Sequence, residues 1–161
     1  MKLNDTEGHA VEDLLGKPAR SVEEFCTNNG KAYGWEAVCV TRGARGCALW
    51  IGGEYMDIAG YPVKVVATVG SGDAFAAAFV HGLSNGWPPA EIGDFANRLG
   101  ALVASRPGAI PAWIIEECRA LDKPAACSAS LRTPDQPSAG GKCSSVASAY
   151  FVLSKITNVL S

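Results

Sequence analysis

The stretch VKVVATVGSGDAFAAAF, residues 63–79, holds the densest chemistry in the chain. An apolar run of β type leads into Gly70-Ser71-Gly72, and a helical run of small and aromatic residues begins at Asp73. Glycines at 70 and 72 let backbone N–H groups approach a ligand unobstructed, and a helix starting there points its positive dipole end at the same spot. Such a turn is an anion cradle. It is not a Walker A loop, because no Gly-Lys-Ser/Thr follows, and it lacks the GxGxxG order of a dinucleotide fold. Asp73, on the first turn of that helix, has two readings. Its carboxylate caps the helix, or it is a general base that takes a proton from a hydroxyl while the amides of the 70–72 turn hold a phosphoryl group in transfer.

These residues need elements to position them. Residues 5–15 read as a helix stopped by Gly16 and Pro18, and residues 21–28 as a second. Ser21 and Glu24 have capping-box spacing, and Asn29-Gly30 closes that second helix. Residues 37–41 and 47–51 read as buried strands joined by the glycine-rich turn 42–46, with short β segments at 54–58 and 63–67 around Gly60-Tyr61-Pro62. Helical patterns return at 73–83, closed by Asn85-Gly86, at 89–105, and briefly after Pro111. Helices flanking β segments predict an α/β layered domain, open on at least one side.

The 161 residues carry 48% hydrophobic and 19% charged residues and a net charge of −2. That balance describes one globular domain and gives no general attraction to nucleic acid or anionic membrane, so phosphate binding must come from a local site. No apolar run approaches the roughly 18 residues of a membrane-spanning helix, and the first residues lack the apolar stretch of a secretory signal. Cys26, Cys39, Cys47, Cys118, Cys127 and Cys143 show no CxxC or His-spaced pattern, which predicts reduced thiols in a cytoplasmic protein. His9 and His81 read as solvated or packed. From residue 123 onward there are eight serines, three prolines and four basic residues against Asp135 alone, so 122–161 reads as a flexible tail.

TVGSGDAF resembles the C-terminal signature of the PfkB/ribokinase-type sugar kinases, usually written DTxGAGDxF. Three further matches follow in the family's order. Asn4 and Glu7 resemble its N-x-x-E element, 40–46 (VTRGARG) its T-x-G-x-x-G turn, and Phe95-Ala96-Asn97-Arg98 through Ala109 the helix and loop that wall its adenine pocket. The wording of GGEYMDIAGYPVKVVATVGSGDAF and GALVASRPGAIP is most similar to bacterial fructokinase-type members. The resemblance covers roughly residues 1 to 115 and implies the C-terminal portion of a ribokinase-like layered α/β fold, with residues 1–121 as the kinase part. It implies ATP-dependent phosphorylation of a sugar hydroxyl, with Asp73 as catalytic base and Gly70, Ser71 and Gly72 as anion hole. Thr41, Gly43, Gly46 and Asn97 would contact ATP, and Asn4 and Glu7 would organise Mg²⁺ and phosphate indirectly. Arg42 and Arg45 read as solvated.

Two departures shape the expectation. The family's acidic residue three before the first glycine is here Ala67, and Ala112 offers no side-chain oxygen either, which predicts a weak or absent K⁺ site. The chain also begins at the N-x-x-E element, where the family has a long N-terminal half before it. The expectation is therefore a fragment, either complemented by a polypeptide supplying that half or a partial product, with an unpaired sheet edge, one unburied core face and no sugar phosphorylation by itself. A non-catalytic nucleotide-binding module or pseudokinase remnant is the second reading, and a structural α/β fragment the third.

Overall fold

Alternation along two strands decides the architecture. The computed structural model describes residues 1–16 and 18–122. In it β2 (Ala37–Thr41) and β3 (Cys47–Ile51) pair antiparallel, with Cys39 opposite Leu49 and Val38 opposite Trp50. Successive side chains point to opposite faces. Ala37, Cys39, Cys47 and Leu49 therefore join one core, and Val38, Val40 and Trp50 another. Both strands are buried along nearly their whole length because helices cover both faces. β1 (Lys2–Asn4) adds in parallel to β2, and β4 (Glu54–Ile58) adds antiparallel to β3, giving the sheet order β1-β2-β3-β4.

One face carries α1 (Asp5–Leu15) and α2 (Val22–Tyr33), whose Val11, Phe25 and Cys26 pack with Val38, Val40 and Trp50. The other carries α3 (Ser71–Ser84), α4 (Pro89–Ala104) and the short α5 (Ile115–Arg119). There Phe75, Phe79, Ile92, Leu99 and Cys118 close over Cys39, Cys47 and Leu49. Each of the large apolar side chains contributes roughly 1.5–3 kcal/mol by leaving water. The expected unburied core face is thus covered in β2 and β3, and the edges among the described residues are β1 and β4.

Five sequence expectations change. The second helix does not stop at residue 28: it runs to Tyr33 and ends at Gly34, whose N–H donates to the Gly30 carbonyl. Gly30 is a packing residue, because a Cβ there would overlap the Trp50 ring. Ser21 Oγ does accept from the Glu24 N–H, but Glu24 returns its bond to the Arg20 N–H at 2.8 Å and not to Ser21. Residues 63–67 form no strand. A strand needs a ladder partner, and here only the Val66 and Ala67 N–H groups find one acceptor, the Ala104 carbonyl, while Val65 and Val66 stay exposed. β1 is an unexpected element of three residues, too short to show a period. The helix expected from residue 73 begins at Ser71. The expectation for the tail falls on residues 123–161, outside the described residues.

Cys26, Cys39, Cys47 and Cys118 are free and buried. Burial pushes the Cys26 thiol up to about 12 and Cys118 to about 11, and a hydrogen bond to Cys47, with burial, pushes Cys39 up. Cys26, Cys39 and Cys118 stay protonated and inert at neutral pH; Cys127 and Cys143 lie outside the described residues. His9 is exposed beside Glu12, and His81 meets the Trp87 ring edge-on at 5.3 Å. No helix among the described residues is long and apolar enough to cross a membrane.

Gly30→Ala sets helix propensity against packing. Alanine is the better helix former by about 1 kcal/mol, whereas overpacking a filled core costs about 1–3 kcal/mol. The Trp50 overlap decides the sign, and the expected outcome is a Tm several degrees lower in a thermal melt followed by Trp fluorescence.

Candidate active site

The parallel pairing of β1 with β2 brings Asn4 level with Thr41, so the start of α1 and the 42–46 turn meet at one end of the sheet. The Thr41 hydroxyl donates to the Leu3 carbonyl at 3.2 Å. Arg45 forms an ion pair with Asp5 on the first turn of α1. Arg42 is not solvated: its side chain is 14% exposed and donates to both Asp57 carboxylate oxygens. That hydrogen bonding raises the Arg42 pKa against the cost of burial. It is a fixed strut, with a buried Nε that has no partner in the described structure.

Asn4 and Glu7 cap α1 reciprocally. The Glu7 N–H donates to Asn4 Oδ1 at 2.8 Å, and the Asn4 N–H donates to Glu7 Oε2 at 2.7 Å. One carboxylate oxygen of Glu7 remains outside this pair. Among the described residues no group of three or more His, Cys, Asp or Glu side chains is placed to hold a metal.

A cleft of about 650 Å³ opens beside this sheet end. It brings together Thr41, Gly43 and Gly46 of the β2–β3 turn, Ser71 and Gly72 of α3, and Asn97 of α4. Asn97 is buried, and its Nδ2 donates to the carbonyls of Ile58 and Ala59 at 3.3 and 3.2 Å. The 43–46 turn and the 58–60 segment touch backbone to backbone: a Cβ on Gly46 would overlap the Ile58 carbonyl. Asn4 and Glu7 do not line this cleft.

At the α3 N-terminus the Ser71 N–H and hydroxyl both donate to the Thr68 carbonyl, at 3.2 and 2.7 Å. The amides left without a backbone acceptor among the described residues are those of Gly72 and Asp73. Gly70 has φ 83 and abuts the loop after α4, where a Cβ would overlap the Ala109 carbonyl. Asp73 is exposed on the first turn and makes no hydrogen bond to a described residue, so its carboxylate does not cap the helix. Lys2 Nζ stands 3.7 Å from where a Cβ on Gly72 would be. Open amides at the positive end of α3, with the Lys2 ammonium near Gly72, suit an oxyanion.

Sequence reasoning missed Lys2 and Tyr61. Lys2 had one available signal, a cation two residues before Asn4, but only β1 carries it toward α3. Tyr61 read as part of a turn; it is 3% exposed, lines the cleft, and donates to Asp94 Oδ1 at 2.6 Å. In the loop after α4, Arg106 donates to the Ala112 carbonyl and pairs with Glu117 at 2.6 Å, and Glu117 Oε2 accepts from the Ile114 N–H at the start of α5.

A family model described as pfkB family carbohydrate kinase matches residues 1–115. The fructokinase of Escherichia coli is 38% identical over 118 residues, 70% of this chain and 37% of the relative. The 5-dehydro-2-deoxygluconokinase of Clostridium tetani is 27% identical over 100 residues, 62% of this chain and 29% of the relative. The solved ribokinase of Thermotoga maritima superposes with a TM-score of 0.63 at 32% identity, covering 74% of this chain and 40% of that one. The chain thus spans about a third of the length of the curated relatives it matches.

The Arg106 hydrogen bond and the Ile114 N–H hold the Glu117 carboxyl below its ordinary value of 4.5. A depressed folded-state pKa contributes stability that is present above the unfolded value and is lost as pH falls through the folded one. Glu117→Gln should therefore lower Tm at pH 7 and flatten its decline below about pH 4.5, in melts run from pH 7 to pH 3.

Proposed function

This chain belongs to the pfkB family of carbohydrate kinases, with a ribokinase-like α/β fold, and from that premise we propose that it carries the nucleotide- and phosphate-handling part of an ATP-dependent sugar kinase. The observation that carries the reading is the convergence of Thr41, Gly43, Gly46, Gly72 and Asn97 on one cleft, with the uncapped Asp73 carboxylate beside it. Thr41, Gly43, Gly46 and Asn97 contact ATP in this reading, and its phosphates run toward α3.

Phosphoryl transfer needs alignment and charge neutralisation more than covalent help from the protein. Asp73 accepts the proton of the sugar hydroxyl as its oxygen forms the new bond to phosphorus. The phosphoryl group leaves ADP, and the products are the sugar phosphate and a proton. Gly70, Ser71 and Gly72 shape the anion hole. Its donors are the Gly72 and Asp73 amides, and Lys2 supplies positive charge where the phosphoryl oxygens crowd. Mg²⁺ bound to the triphosphate would neutralise its charge, and with no cluster of His, Cys, Asp or Glu for it among the described residues Asn4 and Glu7 fit an indirect role through their shared corner. A K⁺ requirement is not expected, because Ala67 and Ala112 bring no side-chain oxygen and the Ala112 carbonyl already holds the Arg106 guanidinium.

The likeness to a fructokinase supports a ketohexose or furanose with a primary hydroxyl as acceptor. A cytoplasmic setting agrees with four free buried thiols. A complementing N-terminal half would supply the sugar side in this reading; a nucleotide-binding module without catalysis is the alternative, motivated by Ala67 where the family has an acidic residue.

The test is a thermal melt of the full chain with and without Mg·ATP. Ligand at about 100 times its Kd adds roughly 2.7 kcal/mol and moves the transition by several degrees. Asp73→Ala should keep that shift and Lys2→Met should reduce it. Exchanging K⁺ for tetramethylammonium should leave it unchanged. A cooperative melt indifferent to Mg·ATP would overturn the nucleotide reading. Sugar-dependent release of ADP, lost in Asp73→Ala, would separate the kinase from the non-catalytic module.

A further inference from the structure

Gly60, Tyr61 and Pro62 line the cleft in the segment that follows β4, where no described strand pairs with them, and three nearby side chains of α4 hold that segment and the end of β4. Asn97 takes its Ile58 and Ala59 carbonyls, and Asp94 takes the Tyr61 hydroxyl at 2.6 Å. Arg98 Nε donates to the other Asp94 oxygen at 2.9 Å, and its guanidinium carbon lies 4.5 Å from the centre of the Tyr61 ring. The same guanidinium donates to the carbonyls of Cys118, Arg119 and Leu121 at 3.4, 3.0 and 2.9 Å. Burial is the largest single influence on Arg98 and works against its charge, but the Asp94 hydrogen bond and charge, with Tyr61 and Cys118, together outweigh it and raise its pKa; burial and then the Asp94 bond raise that of Tyr61. The Tyr61 hydroxyl is therefore neutral at neutral pH and donates to Asp94. Because Gly60 packs on the backbone of Ala44 and Gly46, a shift of Tyr61 shifts the 43–46 turn as well.

We propose that Tyr61, Asp94 and Arg98 form a positioning cluster that sets the wall of the cleft taking the nucleoside, and so governs affinity for nucleotide separately from affinity for polyphosphate. This rests on the nucleotide reading above. The anion site at α3 is built from Gly72, Asp73 and Lys2, on α3 and β1, whereas the cluster belongs to α4 and the segment after β4. Loss of the cluster widens one part of the cleft and leaves the other alone.

The test titrates the full chain with Mg·ATP and, separately, with Mg·tripolyphosphate, which has the phosphates and no nucleoside. Tyr61→Phe removes one oxygen atom. It should weaken Mg·ATP about tenfold, the worth of a buried hydrogen bond to a charged acceptor, and leave Mg·tripolyphosphate within about twofold. Asp94→Ala should weaken Mg·ATP further, and Asp94→Asn, whose carbonyl oxygen still accepts from Tyr61, should recover part of that loss. Equal losses for both ligands would overturn the proposal in favour of a merely structural cluster, as would unchanged Mg·ATP binding in Tyr61→Phe. If Asp94→Ala fails to fold, Tyr61→Phe alone decides. Wild-type chain that binds neither ligand, or tripolyphosphate without ATP, would overturn the nucleotide reading itself, an outcome distinct from a failure confined to the variants.

Discussion

β2 and β3 have no solvent face, and the rest of the fold answers to that. Cys39, Cys47 and Leu49 on one side and Val38, Val40 and Trp50 on the other must each be covered. The chain does so by sending α1 and α2 to one face and α3, α4 and α5 to the other. A residue-by-residue alternation in ten positions thereby fixes which helices can be neighbours. It also fixes where the 42–46 turn emerges, at the sheet end where β1 hands over to α1. Moving either strand by one residue would exchange the two cores, so the register is held strongly.

The cleft is made where backbone meets backbone. The 43–46 turn lies on the 58–60 segment, and Gly70 lies on the loop after α4; in both places a side chain is excluded by a carbonyl oxygen. Close approach serves two ends. It packs the turns without unsatisfied cavities, and it leaves N–H groups, not side chains, as the surface offered to a ligand. The Gly72 and Asp73 amides are free because α3 starts there and no helical turn precedes them to provide acceptors.

Charges around the site divide into those already paired and those left free. Arg42 with Asp57, Arg45 with Asp5, Arg98 with Asp94 and Arg106 with Glu117 hold loops in place. Asp73 is exposed with no partner among the described residues, and Lys2 Nζ stands near the same helix end. Struts that are ion-paired internally compete little for a ligand, whereas an open carboxylate beside open amides has capacity to exchange a proton and hold an anion.

Much of this was legible in the residue string. The alternation at 37–41 and 47–51, the helix limits at 5–15 and the turn-to-helix transition at 70–73 are local patterns, and local patterns follow from backbone sterics and periodicity. Gly30 was not legible as a packing residue, because Asn29-Gly30 reads as a helix stop until Trp50 is placed above it. The valines at 63–67 read as a strand, but a strand exists only with a partner, and none of the described strands pairs with them. Asn4 and Glu7 cap α1 reciprocally, a geometry that their N-x-x-E spacing already allowed. The sequence by itself determined the α/β class and the glycine turn that opens a helix at residues 70–73, since each depends on neighbours a few residues apart. The tertiary structure decided what Lys2, Tyr61, Asp94 and Arg98 do, because their partners lie far along the chain or on other elements and packing alone brings them together.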